Sequence, residues 1–214
     1  MPPKIPIETS ARHIHISKED FETLFGKGRE LTFAKELSQP GQYQAAERIA
    51  VVGPKGSFET VSILGPFREK TQVEISVTDA RKLGIQGVIR QSGDICGTPG
   101  CILRAGDSEL ELKEGVIVAK RHIHMRPIEA FQYNVKDNEN VFVITKSYER
   151  NLIYADVVVR VSNQFRLAMH VDTDEANAFA CDDEPYGVIV KFFDSDSYTV
   201  DRWMDEVLRG IHRS

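Results

Sequence analysis

Short runs of β-branched and aromatic residues, separated by turn residues, dominate the hydrophobic pattern of this 214-residue chain. Glycine and proline close several of the runs, as Gly53-Pro54 and Gly65-Pro66 do, and such punctuation is typical of strands. We predict strands over residues 49–52, 61–64, 72–77, 116–119, 141–145, 152–161, 165–171 and 187–193.

Helical periods are few and short. They predict helices over residues 18–25, 78–83 and 174–180, and an amphipathic helix in the tail that begins at about residue 199. Because long helices between the strands are mostly missing, the pattern favours strand-rich small barrels over a doubly wound parallel sheet. The expected class is therefore mainly β with short helices.

One segment occurs twice. Residues 12–16 read RHIHI and residues 121–125 read RHIHM, 109 positions later, which is about half the chain. A repeat of this length predicts two related domains rather than a solenoid. The charged run 109–114 resembles a connector between compact units. We expect a first β-barrel domain at residues 1–108, a second at 109–195, and a C-terminal amphipathic helix at 196–214.

Composition and charge restrict the classes of function. Apolar residues make up 41% of the chain, and no run approaches the roughly 20 apolar residues that would span a bilayer. With a net charge of −5 and no cluster of Lys and Arg, neither a membrane nor nucleic acid is an expected partner. Cys96, Cys101 and Cys181 form no CxxC pair, so they are treated first as ordinary residues of a cytoplasmic protein.

The histidines are concentrated in the repeat, at His13 and His15 and again at His122 and His124. Two residues apart, imidazoles lie on one side of an extended segment but on opposite sides of a helix. A single His-x-His favours two surface histidines on an edge strand. Two copies in a repeated frame instead favour metal binding.

A catalytic zinc commonly has three protein ligands, so each pair needs a third. Over residues 165–171, strand alternation places Phe165 and Met169 on an apolar face and His170 on the other face. Over residues 72–77, the same alternation leaves Glu74 between Gln72 and Ser76 on the polar face. His170 and Glu74 are the candidate third ligands, although Glu74 taken alone favours a solvated strand residue.

Arg68 follows a Gly-Pro-Phe turn that can project its guanidinium from a strand end. A planar fork of five donors suits phosphate better than an ammonium does. Taken alone, however, this position favours an ordinary surface arginine.

Together these motifs resemble the PduL-type phosphate propanoyltransferases, the phosphotransacylases found with bacterial microcompartments. The residues that carry the resemblance are 12–17, 64–76, 97–100, 120–125 and 169–177. The resemblance implies two β-barrel domains in a pseudo-twofold relation, with a two-zinc site between them. One zinc would take His13, His15 and Glu74, and the other His122, His124 and His170.

The implied reaction converts a short-chain acyl-CoA, propanoyl-CoA or acetyl-CoA, and phosphate into acyl phosphate and CoA, in either direction. In this interpretation Arg68 is catalytic and contacts phosphate, while Gln72, Gly97 and Thr98 also bind substrate. We expect direct attack by phosphate, with Cys96 and Cys101 as controls for an acyl-enzyme. Either zinc or backbone donors near Gly97 would stabilise the developing oxyanion.

Two other classes of function stay open at this point. A binuclear-metal hydrolase would use a bridging water to attack an ester or phosphoester. A noncatalytic metal-binding scaffold protein of a microcompartment would have neither activity.

The tail from residue 199 has one apolar stripe, and an isolated helix of this length is marginal in water, so the stripe must be buried. We expect it to pack on the second barrel or across a homodimer. Alternatively it docks on a shell or cargo protein of a propanediol-degrading microcompartment, because only 11 residues precede Arg12, too few for an N-terminal targeting helix with its linker. The apolar positions are Val200, Trp203, Met204, Val207, Leu208 and Ile211.

Overall fold

The structure, a computed structural model, describes residues 3–146, 150–179 and 184–190. It is mainly β with four short helices in this part of the chain, as the hydrophobic pattern predicts. None of the helices described is long and apolar enough to cross a membrane. The predicted C-terminal helix lies outside the described residues.

Fifteen strands and four helices are distributed along the described chain. The strands are β1 (Ile5–Ser10), β2 (His13–His15), β3 (Phe33–Glu36), β4 (Tyr43–Val52), β5 (Ser57–Gly65), β6 (Gln72–Glu74), β7 (Ile89–Arg90), β8 (Cys101–Ala105), β9 (Ser108–Leu112), β10 (Val116–Ala119), β11 (His122–Met125), β12 (Asn140–Lys146), β13 (Leu152–Val161), β14 (Ala168–Asp172) and β15 (Tyr186–Val190). The helices are α1 (Lys18–Phe25), α2 (Val77–Leu83), α3 (Pro127–Tyr133) and α4 (Thr173–Ala178).

The chain divides into two compact units. The first, here called the barrel unit, comprises Met1–Glu8, Arg121–His170 and Asn177–Ser214, and the second, the sheet unit, comprises Thr9–Lys120 and Val171–Ala176. In this division residues 109–120 group with the first half of the chain. The boundary at residue 108 and the pseudo-twofold relation stay predictions.

A nine-stranded sheet, curled into a half barrel, forms the sheet unit. Its strand order is β7-β10-β6-β2-β5-β4-β8-β9, and β3 pairs with β4. Ile14, Ile63 and Val73 come from three adjacent strands and are completely buried, together with Phe21 of α1. The short strand β2 is therefore central in the sheet, with its isoleucine in the core.

Helix boundaries follow capping chemistry in the sheet unit. The Ser17 hydroxyl accepts a hydrogen bond from Asp20 N at the start of α1. At α2, Ser76 and Asp79 form a reciprocal capping box, and Gly84 ends the helix at φ 75°, which favours a residue without Cβ. Since Ser76 is the cap, Val77 begins the helix, and the strand predicted through residue 77 is wrong there.

A closed six-stranded barrel, in the order β1-β14-β11-β13-β12-β15, forms the barrel unit. β1 and β15 pair antiparallel and close it. Alternate residues such as Ile5, Ile123, Val143 and Met169 are completely buried. Strand β11 carries the second His-x-His and lies between β13 and β14, which places this segment inside the sheet rather than at an edge.

Two further predictions need correction, and one helix lies where none was predicted. The strand predicted from residue 165 begins at Ala168. Residues 108–112, which overlap the connector predicted at 109–114, form β9, because Leu110 and Leu112 pack against the core while Glu109 and Glu111 are exposed. Helix α3 was not predicted, although Pro127 at its first position and Glu129 at its third are start signals.

Candidate metal centres

The first candidate metal centre lies where β2 pairs antiparallel with β6. His13 is directly opposite Glu74, and His15 is directly opposite Gln72. Because β2 is extended, both imidazoles point away from buried Ile14 and towards the same side of the sheet. Sheet register therefore brings together the three residues His13, His15 and Glu74, all of them buried.

Their spacing fits a tetrahedral ion. The Nε2 atoms of His13 and His15 are 3.2 Å apart. Oε2 of Glu74 lies 3.5 Å from Nε2 of His13, and Oε1 of Glu74 lies 3.6 Å from Nε2 of His15. Ligand atoms bound at zinc distances of about 2.0–2.2 Å in a tetrahedron are themselves about 3.3–3.6 Å apart. These three side chains could therefore hold zinc without rearrangement of the backbone.

Hydrogen bonds behind the ligands orient them. His13 Nδ1 lies 2.8 Å from the Ala11 carbonyl oxygen, which fixes the tautomer that leaves Nε2 free to ligate. Glu74 Oε1 accepts hydrogen bonds from Gln72 Nε2 at 2.6 Å and from Ser92 Oγ at 2.8 Å. Both ligand types thus have the outer partners that metal sites commonly require.

The charges in this cluster are coupled. Burial lowers the pKa of His15 to about 3, assisted by the neighbouring His13, so the ring is neutral at pH 7. Burial also opposes ionisation of Glu74 and protonation of His13, but the attraction and the hydrogen bond between these two side chains outweigh the effect of burial. The pKa of His13 is therefore raised, and the pKa of Glu74 is held well below its usual value. The cluster therefore holds one buried carboxylate charge, which suits a cation.

Arg68 lies beside this centre. Its backbone N donates to Ile16 O at 3.0 Å, which holds Arg68 beside the residue that follows β2 in the sequence. Its side-chain Nη1 donates to Ser92 Oγ at 3.0 Å. Ser92 therefore connects Arg68 with Glu74. Four predicted site residues, namely the two histidines, Glu74 and Arg68, share one neighbourhood, and Gln72 joins them.

A second ion pair fixes the strand that carries the histidines. Arg12 donates to both carboxylate oxygens of Asp79, at 2.8 Å and 3.1 Å, and stacks over the Phe58 ring. Asp79 is also the capping-box residue of α2, the helix that follows Glu74. The Asp79 carboxylate thus connects the start of β2 with α2, the helix that follows β6. This contact helps to keep His13 and Glu74 at a fixed distance from each other.

The second candidate centre repeats this geometry in the barrel unit. His122 of β11 lies directly opposite His170 of β14, and the ligand atoms of these two and His124 are within 4.8 Å of one another. The ring centroids of the three histidines are 4.6 Å to 5.2 Å apart. This centre has three imidazoles and, among the described residues of its cluster, no carboxylate.

Register and capping together reveal a second internal repeat. Glu74 and His170 each lie opposite the first histidine of a His-x-His. Each is followed two residues later by a helix cap, Ser76 or Asp172, whose helix has an acidic capping partner at its third position. Glu74 and His170 are therefore equivalent positions with different ligand types, in agreement with the sequence analysis, which proposed them as the corresponding third ligands.

Gly97 and Thr98 are held by hydrogen bonds within their own region of the sheet unit. Gly97 N donates to Glu114 at 3.0 Å, and the buried Thr98 hydroxyl donates to Ile95 O and accepts from Gly115 N. These bonds do not connect them with the six ligand candidates. Their predicted role in substrate binding stays a prediction.

Three residues near the centres were missed by sequence reasoning. Ser92 lies in a turn, where no periodicity marks it. Phe165, predicted to face the apolar side, precedes β14 and stacks on the His124 ring with centroids 4.0 Å apart, so that prediction is wrong. Glu8 of β1 has a carboxylate oxygen 3.7 Å from His170 Nδ1. Only alternation in β1, with Ile5 and Ile7 buried, could have indicated which way Glu8 faces.

Comparisons with known proteins agree with one another. A family model described as phosphate propanoyltransferase matches residues 6–182. A phosphate propanoyltransferase of Thermotoga maritima is 53% identical over 190 residues, covering 89% of this chain and 90% of that protein. Those of Leptotrichia buccalis and Listeria monocytogenes are 56% and 50% identical, covering 80% and 87% of this chain and 81% and 87% of the respective relatives.

Proposed function

Because this chain belongs to the phosphate propanoyltransferase family, and is thus an acyltransferase, we propose that it interconverts a short-chain acyl-CoA and phosphate with acyl phosphate and CoA at a two-zinc site. The observation that carries the zinc proposal is the convergence of His13, His15 and Glu74 at tetrahedral ligand spacing. The equivalent cluster of His122, His124 and His170 supports a second ion.

Zinc bound by these residues would supply positive charge to the phosphate and polarise the thioester carbonyl. Side chains of the protein would bind and orient the phosphate. Arg68 presents a planar fork to phosphate, which it binds in two hydrogen bonds and orients for attack. Ser92 keeps the guanidinium in place through its 3.0 Å contact.

In the proposed step a phosphate oxygen attacks the thioester carbonyl carbon, a C–O bond forms, and the C–S bond breaks. The electron pair of that bond leaves with sulfur, so CoA departs as its thiolate and takes a proton afterwards. Gln72 and the backbone donors at Gly97 and Thr98 are the proposed further contacts to substrate. No acyl-enzyme is required.

The alternatives of a hydrolase and a scaffold protein have no support from the named relatives. A single set of assays distinguishes the three. Formation of acyl-CoA from acyl phosphate and CoA, with zinc measured in the same sample, supports the transferase. Ester hydrolysis without phosphate would support the hydrolase. Metal binding without either activity would support the scaffold protein.

Both propanoyl and acetyl groups are proposed substrates, since they differ by one methylene. Such a difference is worth about 1–3 kcal/mol in a hydrophobic pocket, or roughly 10- to 200-fold in kcat/KM. Competition between propanoyl phosphate and acetyl phosphate at equal concentration measures the ratio directly. A ratio far above this range would exclude acetyl as a physiological substrate.

For localisation, we propose a cytoplasmic enzyme that is taken into a bacterial microcompartment. The amphipathic tail at residues 199–214 would dock on a shell or cargo protein, or else complete a homodimer. Deleting residues 198–214 tests this. If the shortened enzyme is stable and active but no longer co-purifies with the compartment, the result supports docking. Loss of dimerisation supports a role of the tail in the homodimer. If neither co-purification nor dimerisation changes, both alternatives are refuted.

A further inference from the structure

We propose that the Glu8 carboxylate positions His170 for metal binding at the second centre. This inference rests on the proposed function, since it assumes that His122, His124 and His170 hold zinc. It adds a residue from outside the three-histidine cluster and from outside every motif that identified the site in the sequence.

The strand arrangement directs both side chains to the same place. β1 and β14 are neighbours in the closed barrel. On β1, Ile5 and Ile7 are buried and Glu8 faces the other way, and on β14, Met169 and Val171 are buried and His170 faces the other way. The carboxylate oxygen Oε2 of Glu8 lies 3.7 Å from Nδ1 of His170, with side-chain exposures of 34% and 13%.

Metal-bound histidines usually donate their second ring N–H to a carboxylate, carbonyl or water, which fixes the tautomer and the ring orientation. The first centre follows this rule, because Nδ1 of His13 faces the Ala11 carbonyl. At the second centre, Glu8 would take the corresponding place beside Nδ1 of His170, with Nε2 of that ring as the ligand atom. The separation of the two atoms exceeds a hydrogen bond by about 0.5–0.8 Å, so the proposal requires the Glu8 side chain, which is 34% exposed, to move by that distance when the ion binds.

Charge gives a second reason. The first candidate centre includes the Glu74 carboxylate, whereas the second consists of three imidazoles. A dication held by imidazoles alone keeps its full charge, so a carboxylate directly behind one of them stabilises the loaded state. Glu8 is outside the cluster whose ligand atoms lie within 4.8 Å of one another, and it therefore acts through His170 instead of ligating.

The test measures zinc release from the full-length, zinc-loaded protein. Wild type, Glu8→Ala and Glu8→Gln are mixed with an excess of a chromophoric chelator, and the two release phases are resolved. A His124→Ala protein, which retains only the first centre, assigns the phases. Glu111→Gln is the matched control, because it removes one negative charge from an exposed position on β9 in the other unit.

We expect Glu8→Ala to accelerate release from the second centre by about tenfold, the lower end of the effect of such outer residues, because Glu8 is partly exposed. Glu8→Gln should show a smaller acceleration, since its amide oxygen still accepts from Nδ1–H without the charge. Release from the first centre and thermal unfolding of the metal-free protein should not change.

An unchanged second phase in Glu8→Ala overturns the proposal. Equal acceleration of both phases, or the same acceleration in Glu111→Gln, also overturns it, because either would indicate a general effect of structure or charge. If wild type binds fewer than two zinc ions per chain, the two-zinc site itself is wrong. The stoichiometry measurement thus separates failure of the proposed function from failure of the role of Glu8.

Discussion

Replacing Asp79 with asparagine tests how the sheet unit keeps its metal ligands in register. Asp79 is 4% exposed, accepts from Arg12 at 2.8 Å and 3.1 Å, and accepts a weaker capping bond from Ser76 N at 3.4 Å. Asparagine has nearly the same shape but no charge, and one of its two acceptors becomes a donor. The change therefore removes the ion pair and leaves the packing intact.

The expected cost follows from these contacts. Hydrogen bonds to charged groups contribute about 1.5–3 kcal/mol each, against about 1 kcal/mol for neutral ones. Two bonds between oppositely charged groups are replaced by one bond from the charged Arg12 to a neutral amide oxygen, and Arg12, whose side chain is 39% exposed, regains some hydration. We expect a loss of about 2 kcal/mol in the free energy of unfolding of the sheet unit, below the roughly 3–5 kcal/mol of a fully buried pair.

Urea unfolding followed by circular dichroism measures the global effect, and amide hydrogen exchange in β2 and α2 measures the local one. The control is Asp94→Asn, since Asp94 is 60% exposed and pairs with Arg90 at 3.7 Å. An exposed pair of this kind is worth about 0–1 kcal/mol. A loss below 1 kcal/mol in Asp79→Asn, or a loss equal to that of the control, would refute the reasoning.

Three further predictions concern activity. His122→Ala and His124→Ala should each abolish turnover and reduce zinc from two ions to one per chain by elemental analysis; full activity with near-zero zinc would eliminate the metal mechanism. Arg68→Lys keeps the charge but loses the planar guanidinium, so KM for phosphate should rise about tenfold or more while KM for CoA changes little. An equal rise in both KM values would indicate a structural role for Arg68. Cys96→Ser and Cys101→Ala should retain turnover, because burial raises the pKa of the Cys101 thiol to about 12 and no step uses either sulfur; loss of a burst-phase acyl intermediate in one of them would contradict direct attack.

Much of the site could be read from local patterns. His-x-His with isoleucine between the histidines predicts an extended chelating pair, and β2 and β11 are indeed strands with Ile14 and Ile123 completely buried. Strand alternation offered Glu74 and His170 as candidate third ligands, and the structure brings each of them beside a His-x-His pair. These successes share a cause: the direction of a side chain from a strand depends only on its position in a period of two.

Other features depended on contacts between distant segments. Ser92 reaches Glu74 from a turn 18 residues away, and Arg12 reaches Asp79 across 67 residues. No period in the sequence encodes such a distance. The same holds for Leu110 and Leu112, whose charged neighbours made a paired strand look like a connector.

The sequence by itself determined the class of fold, the two His-x-His segments and three further candidate side chains, Glu74, His170 and Arg68, because these follow from periodicity and from the chemistry of imidazole, carboxylate and guanidinium. Only the tertiary structure decided which strands pair, and pairing is what places Glu74 opposite His13 and His170 opposite His122. Register is a property of two paired segments together. It depends on the core that each strand faces, beneath Ile14 in the sheet unit and beneath Ile123 in the barrel unit, and a single segment read alone does not contain it.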